Sequence, residues 1–268
     1  MGQLIEQPAQ VGEYDEGMQT LLQLVWGEGF LSPGGPEEVA RLLEGESLAG
    51  ARVLDIGCGL GAIDLLLVQR HDAKAVVGID LEPDLIRQAQ ARVAAAGLSE
   101  RITLQTVSPG ALPFADHSFD VVFSKDSLVQ IPDKSALFAE VRRVLVPGGR
   151  FIASDWLRGG EGEYSPAMLE YFRLEGITYN MASPAHSAVV LQQAGFVQVQ
   201  LTDRCDWYAE LAEREAAALA GEWYPVLVEL LGASRAEHFV VNWQQLLRVL
   251  QSGELRPTHL KARRPAQA

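Results

Sequence analysis

The hydrophobic rhythm of the chain changes three times. Across residues 16–26, apolar side chains fall at Met18, Leu21, Leu22 and Val25, the spacing of an amphipathic helix. Gly27-Glu28-Gly29 closes it, and Ser32-Pro33-Gly34-Gly35-Pro36 reads as a loop. Residues 36–43 then predict a short helix with proline in its first turn. From Ala51 short apolar runs alternate with helical patterns. Strands are expected over 52–56, 75–79, 102–105, 121–124 and 150–154, and helices from the Gly-rich turn to Arg70, over 84–96 and over 134–145. Past Gly159 the alternation stops. A Gly-rich loop and an amphipathic helix around 168–174 predict a lid. A helix over 184–194, a strand over 197–201, a mostly helical stretch over 208–250 and an antiparallel strand over 258–262 follow. The stretch 210–222, rich in Glu and Ala, reads with Cys205 as a solvated helix. The expected fold is α/β: a Rossmann-like seven-stranded sheet with helices on both faces. Residues 1–50 form a helical cap, 51–156 the cofactor-binding core, and 157–268 the lid insertion, remaining strands and C-terminal helices.

Composition narrows what such a fold does. With a net charge of −13 over 268 residues, the chain lacks the clustered Lys and Arg that phosphate backbones require, so no nucleic-acid partner is expected. The two cysteines, Cys58 and Cys205, lie far apart, and the five histidines form no metal-ligand pattern, so no metal is expected. No apolar run reaches bilayer length, and the first residues lack a basic and then apolar leader, which predicts a cytoplasmic protein without membrane contact. A monomer or homodimer acting on a small molecule is the economical reading.

The strongest local signal is Val53-Leu54-Asp55-Ile56-Gly57-Cys58-Gly59-Leu60-Gly61. A buried strand delivers the chain to a turn whose glycines let a ligand approach the backbone closely, and a helix follows. By itself this also fits a dinucleotide site. Asp64, in the first helical turn, would repel a pyrophosphate, whereas a ligand without phosphate escapes that penalty. Asp55 stands where an ammonium group or a bridging water is held, and Asp80, ending the second strand, suits the two hydroxyls of a ribose.

Together with Leu112-Pro113-Phe114, Ser118-Phe119-Asp120 and Val144-Leu145-Val146-Pro147-Gly148-Gly149, these motifs resemble class I S-adenosylmethionine-dependent methyltransferases over roughly 52–155. The resemblance implies S-adenosylmethionine as cofactor, with Gly57, Gly59 and Gly61 lining its methionine and ribose and Asp80 holding the ribose. Leu81, Val107, Ser108 and Ser124 complete that site. Many relatives carry an Asp for the adenine amino group where this chain has Ser108.

The flanking segments are similar to phosphoethanolamine N-methyltransferases. They are Glu13-Tyr14-Asp15-Glu16-Gly17, Phe30-Leu31-Ser32-Pro33-Gly34-Gly35, Ser124-Lys125-Asp126-Ser127-Leu128 and Ser154-Asp155-Trp156. The likeness implies that Tyr14 closes over the site, that Ser32 meets the cofactor carboxylate and that Asp126 lies by the acceptor nitrogen. Trp156, Tyr14 and Tyr171 would wall the developing cation, although core packing accounts equally for Trp156 and lid packing for Tyr171. Three departures stand out. Gln130 replaces the family's active-site His and cannot shuttle a proton near neutral pH. Glu175 aligns with a phosphate-binding Arg, and Ile177 with a phosphate-contacting Tyr. A carboxylate facing a dianion predicts that the acceptor is an amine or zwitterion and not a phosphobase. O- or C-methylation of a natural-product intermediate is the alternative, and a cofactor-binding protein without catalysis a third reading.

Overall fold

A computed structural model describes residues 15–176 and 179–267. The chain opens with α1 (Glu16–Trp26) and α2 (Gly35–Leu42). The alternating part follows as β1 (Arg52–Ile56), α3 (Ala62–Gln69), β2 (Ala75–Asp80), α4 (Pro83–Ala95), β3 (Ile102–Thr106), β4 (Phe119–Lys125), α5 (Lys134–Val144) and β5 (Leu145–Arg158). Then come α6 (Pro166–Glu175), α7 (Pro184–Gln193), β6 (Val197–Asp203), α8 (Cys205–Ala220), α9 (Tyr224–Leu231), α10 (Ala233–Gln251) and β7 (Leu255–Arg263). One sheet takes the order β3-β2-β1-β4-β5-β7-β6, its first five strands parallel and β7 antiparallel to both neighbours. This is the expected Rossmann-like sheet with a helical cap and lid.

The short apolar runs are continuous because the sheet is covered on both faces. Val53, Val76, Val121 and Phe123 pack against α2, α3 and α4. Leu54, Ile56, Val122 and Phe151 pack against α5 and α7. Strand order reverses between β1 and β4, and the crevice beyond the carboxyl ends of strands at such a switch point is where ligands bind in open α/β sheets. β5 runs well past the expected 150–154, because β7 pairs with it from Arg150 through Arg158. That extension carries Trp156 and Arg158 past Ser154, the last residue of β5 that pairs with β4.

The sequence 210–222 is not the wholly solvated helix expected. Tyr208, Ala212, Glu215, Ala216 and Leu219 form a buried stripe on α8, and only the other face, with Glu210 and Glu213, meets water. Alanines on the inner face let α10 approach, and the acidic outer face masked the stripe. Cys205 is buried, its thiol donating to the carbonyls of Leu250 and Leu255. Among the described residues no helix is long and apolar enough to cross a membrane.

Glu215 ties the cap to the body. Its two oxygens accept from the indole N–H of Trp26 (2.8 Å) and of Trp243 (3.0 Å). Burial pushes this carboxyl up to about 7, against the lowering effect of the two indole donors. A folded-state pKa raised above its unfolded value contributes stability that is full below about 4.5 and is lost as pH rises through about 7. At ~1.4 kcal/mol per unit the swing is on the order of 3 kcal/mol. Glu215→Gln keeps one acceptor but sets an amide N–H against an indole donor, a cost of about 1–3 kcal/mol. The variant should therefore be clearly less stable than wild type at pH 5, and the gap should narrow by pH 8. Urea denaturation across that range measures it, and a gap independent of pH would refute the assignment.

Candidate active site

The Gly-rich turn after β1 holds Gly57, Gly59 and Gly61 at φ values of 80°, 53° and 78°, a left-handed backbone that glycine adopts without penalty. The amides of Gly57 and Cys58 both donate to the carbonyl of Ile79, at 2.8 and 3.1 Å. Asp80 answers from the strand end, its carboxylate accepting from the amides of Gly59 (2.9 Å) and Glu82 (3.1 Å). Two backbone donors thus orient Asp80 at the rim of the crevice, beside an exposed Leu81. The amide of Val107 donates to the Asp80 carbonyl (2.9 Å), so Val107 and Ser108 continue the same wall, in a groove also lined by Gln105 and Pro113. Leu31 stands 3.4 Å from where a Gly59 side chain would begin, which places the loop carrying the buried Ser32 against the turn.

Beneath the turn lie Asp55 and Asp64, both almost fully buried. Burial, reinforced by the charges of Asp64 and Asp80, holds the Asp55 carboxyl far above the usual range. Burial also pushes Asp64 up to about 7.

The second half of the site grows from the end of β4. Ser124 is fully buried and turns its hydroxyl onto the Ile56 carbonyl (2.7 Å), and Ser127 donates to the same oxygen (2.8 Å). Asp126 takes φ 57°, a conformation Asp tolerates, with its amide donating to the Ser154 carbonyl (2.7 Å). Its carboxylate accepts from Lys125 Nζ (2.5 Å) and from Ser154 Oγ (3.0 Å). The next residues, Leu128–Gln130, form a single 3-10 turn clamped from both sides. The Val129 amide donates to Asp155 (3.0 Å), and buried Lys134 donates to the carbonyls of Leu128 and Ile131. Burial raises Asp155 to about 7 despite the opposing charge of Lys134, with Asp126 adding to the rise. Gln130 is anchored through its own carbonyl, which accepts from Asn180 (3.2 Å).

The lid closes above this loop. Trp156 meets Tyr208 edge to face at 5.4 Å, and Tyr171 stacks on Tyr179 at 6.2 Å. Glu175 is half-buried as a residue, but its carboxyl turns inward and accepts from Asn242 (2.7 Å) and Tyr179 (3.4 Å). Burial raises its pKa, although Asn242, Tyr171 and Tyr179 all bond to it. Below, fully buried Glu38 accepts from Arg204 (3.0 and 2.8 Å) and lies 2.6 Å from His259 Nε2. Burial would raise Glu38, but these two partners outweigh it and its pKa is lowered. The cluster locks α2, α8 and β7 together under the loop that carries Ser32.

Asp55, the three glycines, Asp80, Ser124, Asp126 and Gln130 are therefore gathered at one end of the sheet, with Trp156, Tyr171 and Glu175 above. Tyr14 and Ile177 lie outside the described residues. Sequence reasoning missed Ser127, Lys134, Asp155 and Tyr208 as parts of the site. Ser127 and Asp155 were visible in the same motifs as Asp126 and Trp156, and Lys134 lies four residues beyond Gln130 at the start of α5, whereas Tyr208 comes from a distant helix and carried no signal.

Residues 53–149 match the family model described as a methyltransferase domain. Phosphoethanolamine N-methyltransferase 1 of Arabidopsis thaliana is 35% identical over 71% of this chain and 38% of its own length. The Triticum aestivum phosphoethanolamine N-methyltransferase is 31% identical over 87% of this chain and 45% of its own length. The chain thus spans less than half the length of these plant relatives. Among solved structures, phosphoethanolamine N-methyltransferase 2 of Haemonchus contortus, in complex with phosphomonomethylethanolamine and S-adenosylhomocysteine, superimposes with a TM-score of 0.83. It is 23% identical, covering 92% of this chain and 57% of that one. The expectation that the acceptor is not a phosphobase is overturned by these relatives. It rested on a fully ionised Glu175, and burial raises that carboxyl's pKa and so opposes the anion.

Gly57 joins the two halves, since a side chain there would begin 2.3 Å from both Cβ and Oγ of Ser127. Gly57→Ala should therefore lose about 2 kcal/mol or more from that overlap together with its left-handed backbone. Adding Ser127→Gly should recover the part due to overlap. Thermal denaturation of both single variants and the double variant tests the coupling, and strict additivity would contradict it.

Proposed function

The chain is a class I methyltransferase related to the phosphoethanolamine N-methyltransferases, and from that premise we propose that it methylates the amine nitrogen of a phosphobase. The observation that carries the proposal is the direct seating of the Asp126 loop on the Gly-rich turn, through Ser127 against Gly57 and through two serine hydroxyls on the Ile56 carbonyl. Acceptor and methyl donor are thereby held on one rigid frame. Positioning of this kind supplies most of what an in-line transfer requires.

The turn suits S-adenosylmethionine. Three left-handed glycines leave it without side chains at its closest approaches, and Asp80 stands ready with its orientation already set by two amides. Bound there, S-adenosylmethionine supplies an electrophilic methyl group on a sulfonium. Asp55, Gly57, Gly59 and Gly61 face its methionine end, Asp80 and Leu81 its ribose, and Val107 and Ser108 its adenine. Ser32 reaches the carboxylate from the cap, and Ser124 supports the turn from below. Asp126 orients the acceptor amine. Each of its oxygens already accepts one hydrogen bond and keeps a lone pair for an N–H. Because Lys125 is buried beside it, Asp126 works as a fixed, partnered carboxylate. Gln130 holds its place in the turn and moves no proton. Trp156 and Tyr171 supply aromatic surface beside the amine as positive charge develops.

The phosphate would meet a lid in which Tyr171, Tyr179 and Asn242 surround Glu175, whose ionisation burial opposes. Wild type should methylate phosphoethanolamine, and ethanolamine about tenfold less efficiently or worse. Glu175→Gln should stay within about threefold of wild type at pH 7. An ionised Glu175 would instead cost ~4 kcal/mol against the dianion, and its removal would raise efficiency well beyond tenfold. Turnover with labelled S-adenosylmethionine and a panel of phosphobases, amines and phenols measures both. Methylation confined to phenols or carbon acceptors would reject the reading.

A further inference from the structure

Five acidic residues are buried whole among the described residues: Glu38, Asp55, Asp64, Asp155 and Glu215. Three have donors already named. Asp55 and Asp64 do not, and none of their four oxygens receives a hydrogen bond from another residue. They are also neighbours by construction. The β1–β2 register sets Gly78 opposite Asp55, and a side chain on Gly78 would begin 2.7 Å from Asp64 Oδ1. The carboxyl of Asp64, reaching down from the first turn of α3, thus fills the gap that Gly78 leaves beside Asp55.

The groups facing the pair offer no counter-charge. From β2 comes Asp80, a third carboxylate, and from the turn comes Cys58, whose thiol burial and the three acids push far upward. β3 contributes Leu104 and α4 contributes Ala89, both apolar. The nearest cation on α4, Arg92, is engaged by the Leu60 carbonyl (2.8 Å) and by Gln23. Two adjacent, buried carboxylates with no donor from another residue disfavour double ionisation, which leaves one proton to be shared between them.

We propose that Asp64 is a second carboxylate of the cofactor site, sharing one proton with Asp55 in the free protein and losing it when the ammonium end of the cofactor binds. An ammonium against the pair replaces the missing counter-charge and favours two carboxylates over a carboxylate and an acid. The proton passes to buffer, the donor's ammonium keeps its own, and no covalent bond to carbon or sulfur changes. The rise of Asp64 to about 7 places this exchange in an accessible range. The inference rests on S-adenosylmethionine being the methyl donor.

Calorimetry of S-adenosylhomocysteine binding to the full chain, in buffers of different ionisation enthalpy, tests it. At pH 6.5 the ligand amine, with an ordinary value near 7.7–8.0, stays protonated, so any exchange belongs to the protein. Wild type should release between about 0.3 and 1 proton per ligand bound, and its affinity should rise up to about tenfold between pH 5.5 and 7. In Asp64→Asn, the remaining Asp55 is freed from its like-charged neighbour, and both the release and the pH dependence should largely vanish. Binding by wild type with an enthalpy independent of buffer overturns the inference and leaves the methyltransferase reading standing. Failure of wild type to bind S-adenosylhomocysteine or S-adenosylmethionine at all overturns both. The wild-type arm decides the matter even where the variant does not fold.

Discussion

The close contact between Gly57 and Ser127 is the constraint on which the site depends. A parallel sheet whose order reverses at β1 leaves its two neighbouring strand ends, those of β1 and β4, free to diverge. Here they converge, because Ser124 and Ser127 both donate to the last carbonyl of β1 and Gly57 has no side chain to hold them off. The Gly-rich turn and the Asp126 loop become one body. A transfer whose two reacting atoms must meet in line draws its rate from such preorganisation, so a displacement of either element would reach the chemistry directly.

Buried charge around that joint is handled in two distinct ways. On the acceptor side each acid has a partner: Lys125 and Ser154 for Asp126, Lys134 and the Val129 amide for Asp155, and Arg204 with His259 for Glu38. Fully partnered buried ions fix geometry, and removing one partner strands the other at a high cost. On the cofactor side Asp55 and Asp64 have none. A satisfied network holds still, whereas an unsatisfied one has affinity left over for a ligand. The division matches a frame that must orient a small acceptor and a cradle that must attract a cation.

The sheet was legible because apolar runs, glycine turns and helical stripes all agree from Ala51 to Ser154, and local consistency of that kind is what specifies a fold. The Gly-rich turn and Asp80 were legible for the same reason, since strand, turn and acid occur in sequence order. Three features were not. β5 extends to Arg158 only because β7, a hundred residues later, pairs with it. Within 210–222 the inner face of α8 is two alanines, a leucine and Glu215, a stripe that the flanking acids obscure until α10 and two tryptophans cover it. Tyr208 reaches the site by tertiary packing alone, and no motif announces it.

Glu175 shows where reading charge from an alignment fails. The letter implies a negative charge, and from that sign followed the expected rejection of a phosphate. Charge, however, belongs to a side chain in its surroundings. Inward burial penalises the anion. Asn242 and Tyr179 donate to the oxygens, and a carboxylic acid retains enough acceptor sites to keep both bonds while neutral. At this position burial thus opposes the charge that the letter implies. Repulsion of a phosphate is weaker than the letter alone suggests, and the neutral groups of Asn242 and Tyr179 stand beside the carboxyl. In the proposed reading the choice of acceptor then falls to the frame around Asp126.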